Sequence, residues 1–205
     1  LGGNVLLKYL SEIGANADLL GAVAISAPID LRATANCITS KRNRLYHAHL
    51  IDGMRQERGH DAKDIRTITE TADGALWFGM LGGGLGVIRD GHVTQIRKGL
   101  GLTSDYVQAL YADPGGALWI GTFDNGLCRL MAGKFSSIST EQGMPATVVT
   151  HIVDDGNGRL WIGSNRGILR ASKVDLNRCA EGELTTVAFF SYGRSEGLTS
   201  STCSG

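Results

Sequence analysis

From about residue 64 onward the chain is written in short apolar runs separated by glycine-rich polar breaks. "LWFGM" (76–80) and "LWIGT" (118–122) are apolar at both parities, the pattern of short strands buried on two faces. "GLGVIRDGHVTQI" predicts two strands about an Asp-Gly turn, and "GLCRLMAGKFSSI" repeats the hairpin. "ADGAL" and "GNGRL" place turn residues just before an apolar run, and "DIRTITET" alternates imperfectly, which predicts a bulge. The first sixty residues follow another pattern. "LGGNVLLKYL" opens on glycines and predicts an amphipathic helix with Val5, Leu6, Tyr9 and Leu10 on one face. "DLLGAVAISAPIDL" predicts a buried strand, Ala22–Ser26, ending in a proline loop, and residues 33–58 are mostly helical in pattern. The change falls in the charged stretch "MRQERGHDAKD", which sets a domain boundary near residue 60.

The downstream pattern is an internal repeat. Trp77, Trp119 and Trp161 are spaced by 42 residues, each preceded by Leu and followed two places on by Gly79, Gly121 and Gly163. Ile65, Val107 and Val149 keep the same step, as do Ile68, Leu110 and Ile152. A period of 40–45 residues built from short strands is the signature of four-stranded propeller blades. The expected fold is mainly β: three four-stranded blades of an incomplete β-propeller, preceded by an α/β segment. The expected divisions are 1–60, blades at 64–104, 105–146 and 147–200, and the start of a further blade at 201–205. The third unit is longer after Arg170, which predicts an enlarged hairpin between its last two strands.

Each repeated tryptophan is expected to fill the gap between neighbouring sheets, and each repeated glycine to serve a turn or a close approach. Trp77, Trp119, Trp161, Gly79, Gly121 and Gly163 are therefore read as structural. Residues that vary at the equivalent loops are the candidates for recognition: Phe123, Asp124, Asn125, Asn165 and Arg166, with Met80 and Leu81 in the first copy.

Composition narrows the function further. Twenty basic and twenty acidic side chains cancel, so no overall field draws the chain to nucleic acid or an anionic membrane. The basic run Lys41, Arg42 and Arg44 reads as the solvated start of a helix. Cys37, Cys128, Cys179 and Cys203 form no CxxC pair, and His47 and His49 are two apart, a poor metal pair on a helix. No metal or cofactor is expected. The longest apolar stretch, from Leu19, is too short and too broken to span a bilayer, and no signal peptide is visible.

"ADPGGALWIGTFDNGLCRL" from Ala112 resembles the two-component regulator propeller repeat, and "DDGNGRLWIGSNRGILR" from Asp154 follows it with Ser164 for threonine. The first copy has Phe78 and Met80 in place of isoleucine and threonine. Tryptophan–aspartate repeats fit less well, because no aspartate follows a tryptophan, and His92 and His151 lack the company a streptogramin-lyase type of site needs. The resemblance implies a seven-bladed propeller in the extracytoplasmic sensor region of a bacterial hybrid histidine kinase or related regulator. Such propellers bind ligands, often carbohydrate fragments, and signal across a membrane. It also implies a periplasmic location and further blades or self-association as partners, since three blades leave two flanks open.

"LGGNVLLKYL", "AVAISAPIDL" and "RLYHAHL" resemble the YheT-like, embryogenesis-associated branch of the α/β-hydrolases, whose elbow reads G-x-S-x-G-G-N. That likeness implies a cytoplasmic setting and assigns the Leu1 backbone N–H to one oxyanion donor, with the nucleophile before it. Asp30 lies one strand too early for the family's acid, and His47, His49 and His60 too early for its histidine. No catalytic residue is assigned and no enzyme activity is expected. The alternatives are a fragment of a carboxylic ester hydrolase, or a chimeric reading frame with no function of its own.

Overall fold

The computed structural model describes residues 65–199, and the expectations for residues 1–64 and 200–205, including the α/β-hydrolase segment, lie outside them. The described residues form three four-stranded antiparallel sheets that resemble propeller blades, each a meander in chain order. The first holds β1 (Ile65–Glu70), β2 (Leu76–Met80), β3 (Gly84–Arg89) and β4 (His92–Ile96). The second holds β5 (Val107–Ala112), β6 (Leu118–Thr122), β7 (Leu127–Met131) and β8 (Lys134–Ile138). The third holds β9 (Val149–Asp154), β10 (Arg159–Ser164), β11 (Gly167–Ser172) and β12 (Phe189–Tyr192). The bulge expected in β1 is present between Ile65 and Thr67, and β5 repeats it between Val107 and Ala109.

The repeat is visible in the turns. Thr71, Asp113 and Asp155 each donate a backbone N–H to the carbonyl four residues on, closing the bend that feeds the second strand. At the other end of that strand the repeated hydroxyl does the same work from a side chain. Thr122 Oγ1 donates to Gly126 O at 3.0 Å and accepts from Asn125 N, while Ser164 Oγ donates to Gly167 O at 2.8 Å and accepts from Arg166 N. Both hydroxyls are buried, so the turn replaces the water they lose.

Strand alternation assigns opposite faces of each second strand to opposite neighbours. Leu118 and Ile120 join Trp77, Leu85 and Val107 in the core of the first seam, whereas Trp119 joins Val149, Leu160, Ile162 and Leu176 in the second. Gly79 and Gly121 explain how close the sheets come. A Cβ on Gly79 would stand 2.5 Å from Val107 Cγ1, and one on Gly121 would stand 2.4 Å from Val149 Cγ1. Neither glycine has a positive φ. The residue is demanded by space, and what approaches is a side chain of the next sheet's first strand.

The extra residues of the third unit lie between β11 and β12, and they form α1 (Lys173–Ala180), which the sequence pattern did not reveal. Ser172 caps it by accepting from Asp175 N. The helix clamps the second seam at both ends. Lys173 Nζ lies 3.1 Å from Asp113 Oδ2 and 2.7 Å from Asp154 Oδ2, which also accepts from Tyr111 Oη at 2.9 Å. Just beyond α1, Glu181 pairs at 2.8 Å with Arg129, whose guanidinium is buried, lies 6.0 Å from the Trp119 ring centre and also donates to Asn177 O.

Lys173→Met is expected to destabilise the fold by about 2 kcal/mol, because Asp113 and Asp154 then face each other without their shared cation. Hydrogen bonds from Lys173 and the Gly156 N–H hold the Asp154 carboxyl below its ordinary range. The stability it contributes is therefore complete above the unfolded carboxylate pKa of about 4 and is lost as pH falls through the lower folded value. Burial, and then the Asp154 hydrogen bond, pushes the Tyr111 phenol up to about 12. Its contribution is full below about pH 10 and fades as pH rises through the folded value. Urea unfolding across pH checks both limbs, and Lys173→Met is expected to flatten the acid limb.

Candidate functional site

At one end of the three sheets the β2–β3, β6–β7 and β10–β11 turns meet the connections between sheets, residues 97–106 and 139–148. The recognition candidates sit here. Phe123 is 51% exposed and Asp124 is exposed, both projecting from the β6–β7 turn. Asn125 is half-buried, and its Nδ2 donates to Thr103 O at 3.2 Å, so it ties the turn to the preceding connection. Asn165 and Arg166 are exposed and, with Pro145 and Ser191, line an open cavity of about 580 Å³.

One placement corrects the sequence reading. Met80 is a buried residue of β2, so it is unavailable to a ligand. Its apolar neighbour Leu81 lies in the β2–β3 turn and forms an isolated bridge with Tyr106. Tyr106 itself was missed. It is 46% exposed, and its carbonyl accepts from the Phe123 N–H at 2.9 Å, so backbone contacts join Leu81, Tyr106 and Phe123. The signal was present as an aromatic in "GLTSDYVQAL", where the other connection has Val148 at the equivalent step.

This end is rigid for a loop surface. The Asp105 carbonyl accepts from both Gly82 N and Gly84 N, its carboxylate accepts from Lys98 N at 2.7 Å, and Arg97 donates to Gly82 O. These hydrogen bonds tie the backbone next to Tyr106 to the β2–β3 turn and to the start of the connection. This end thus presents two half-exposed aromatic side chains, Tyr106 and Phe123, and in the next turn the exposed Asn165 and Arg166.

The two described free thiols are both buried. Cys128 is fully buried and burial pushes its thiol up to about 11, and burial likewise raises Cys179. Among the described residues no group of three or more His, Cys, Asp or Glu is placed to hold a metal ion, and no helix is long and apolar enough to cross a membrane.

Two segments, residues 101–124 and 143–166, match the family model described as "Two component regulator propeller". Each runs from a sheet-to-sheet connection through the repeated tryptophan to the following turn. Among solved structures, the chain is similar to the extracellular domain of BT3049 from B. thetaiotaomicron, described as a hybrid two component system, with TM-score 0.57 and 21% identity over 73% of this chain. It is also similar to the extracellular domain of BT4673 from the same organism, with TM-score 0.50 and 18% identity over 63% of this chain. The chain spans only 20% and 18% of those two proteins' lengths. At these identities the likeness concerns the fold. No curated protein matches the chain.

Proposed function

We propose that residues 65–199 are part of a non-catalytic recognition module of the sensing kind, working outside the cytoplasm in a bacterial signalling regulator of the two-component type. The observation that carries this reading is the match of two successive repeats to the two component regulator propeller model. The likeness of the sheets to extracellular domains of proteins described as hybrid two component systems supports it. The ligand surface in this reading is the end bearing Tyr106, Phe123, Asn165 and Arg166, and the ligand is a carbohydrate fragment or another small molecule with a flat apolar face. Further sheets of the same repeat, or another copy, would complete the ring.

Calorimetric titration of the full chain with a panel of oligosaccharide fragments tests the reading. Phe123→Ala and Tyr106→Ala are each expected to weaken binding roughly tenfold, the effect of losing one stacking face. Asp124→Ala is expected to change it little. Binding that is indifferent to both aromatic substitutions would place the ligand elsewhere. Steady turnover of a p-nitrophenyl ester by the purified chain would overturn the non-catalytic reading.

A further inference from the structure

The three repeated tryptophans differ in what lies across the sheet from them. Trp119 is paired with Arg129 and Trp161 with Arg170, and in both sheets the guanidinium lies near the indole, at 6.0 Å and 5.5 Å from the ring centre. Trp77 is paired with Val87, so the position directly across the strand from this indole carries no cation, and the sheet's arginine is Arg89, two residues on. The difference in side chain is matched by a difference in space. At the second seam α1 and Glu181 close over Arg129 and Trp119, and the indole is fully buried. At the first seam the third-to-fourth-strand turn of the second sheet is the short Ala132–Gly133 link, and a cavity of about 460 Å³ remains. Its wall includes Trp77, Leu118 and Leu130, with Thr71, Asp73, Arg89 and Asp113.

We propose that this cavity binds an organic cation, a guanidinium or alkylammonium group, seated against Trp77 where the neighbouring sheets carry an arginine of their own. An indole is the strongest side-chain partner for a cation, and partial desolvation strengthens the attraction. Trp77 is held in place for it, since its Nε1 donates to Thr71 Oγ1 at 3.2 Å. The second seam shows which counter-charges such a group takes: Arg129 is held by a carboxylate at 2.8 Å and a backbone carbonyl. Asp73 is the equivalent acceptor here. It is paired at 2.7 Å with Arg89, which lines the same cavity and must swing out; both partners are more than half exposed, so exchanging that pair for an incoming cation costs little. Asp113 lines the same cavity while its other neighbour is Lys173, so it acts as a secondary acceptor. The aliphatic walls of Leu118 and Leu130 suit the methylene stem that carries such a charge. The site lies at the end of the sheets opposite the aromatic turns and is independent of any ligand bound there.

Indole N–H resonances of the full chain, with Trp77 assigned through Trp77→Phe, provide the test. Titration with arginine amide is expected to move the Trp77 signal saturably in the millimolar range and leave the Trp119 signal in place. Citrulline amide, equal in shape but uncharged, is expected to move none. Val87→Arg, which supplies the missing guanidinium from within, is expected to abolish the response while keeping a cooperative thermal transition. Asp73→Asn is expected to weaken it roughly three- to tenfold. A Gly-Arg-Gly peptide distinguishes the sources: tighter binding than arginine amide points to an arginine borne by a protein, and equal binding to a free small cation. Either result sustains the site. A Trp77 signal that ignores the cations, answers equally to citrulline amide, persists in Val87→Arg, or is undiminished in Asp73→Asn overturns it.

Discussion

Trp119→Ala is expected to lower the free energy of unfolding by about 3–5 kcal/mol, the largest single effect in the described residues. The side chain is fully buried in the second seam, among residues of two sheets and α1, and neither sheet can collapse into the void without abandoning its strand register. The same substitution at Trp161 should cost far less, because that ring is half-exposed and stacks on Tyr192 at 5.5 Å on an open face. Urea unfolding of the two variants, compared by midpoint at constant slope, checks the contrast. Trp119→Phe adds a finer expectation. Trp77 and Trp161 donate their indole N–H to the residue six places before them, Thr71 and Asp155. Asp113 holds that position for Trp119 but is turned to Lys173, and the Trp119 Nε1 has no hydrogen-bond partner among the described residues. Phenylalanine deletes that unsatisfied donor, so its cost should stay below about 2 kcal/mol despite the lost volume.

Gly121→Ala is the second large effect, expected to cost about 3 kcal/mol. The new methyl would meet Val149 Cγ1 at 2.4 Å, Val149 Cβ at 2.9 Å and Ala109 Cβ at 3.0 Å, so the seam itself must part. Val149→Ala should recover a good part of the loss in the double variant, a coupling of about 1 kcal/mol or more that independent sites would not show. Gly116→Ala is the useful comparison. Nothing stands within 4 Å of its added Cβ, and only its φ of 88° opposes a side chain. Its cost should be about 1–2 kcal/mol and insensitive to Val149. If Val149→Ala fails to relieve Gly121→Ala, the glycine is not a socket for the neighbouring sheet.

Much of this architecture could be read directly from the residues. The constant step linking Trp77, Trp119 and Trp161 announces the sheets because one indole per sheet must meet the same neighbour in each copy. The step from Ile65 to Val107 to Val149 also recorded the partner of the glycine sockets, although periodicity alone could not say that valine and glycine touch. The helix was not legible. It is eight residues long, buries only Leu176, Cys179 and Ala180, and begins on a lysine whose partners lie 60 and 19 residues back along the chain. Too few apolar positions fall on one face to stand out from a loop. Met80 misled for a related reason: an apolar residue just past the repeated glycine looks like the start of a turn, while the strand runs one residue further. Tyr106 was obscure because its importance comes from Phe123 and Leu81, which only the folded connection brings beside it. The repeat could point to the turns where variation is tolerated, yet it carried no information about which rings share a surface.

The outer face of the third sheet has a chemical consequence. Val153, Trp161, Arg170 and Phe190 form one row across its four strands, and the Arg170 guanidinium lies 5.5 Å from Trp161, 4.8 Å from Phe190 and 5.6 Å from Tyr192. Val153 and Phe190 remain more than half exposed. Whatever surface seals this flank must therefore bring an anion as well as grease, because a dehydrated guanidinium without a counter-charge would cost several kcal/mol and cancel much of the gain from covering the rings.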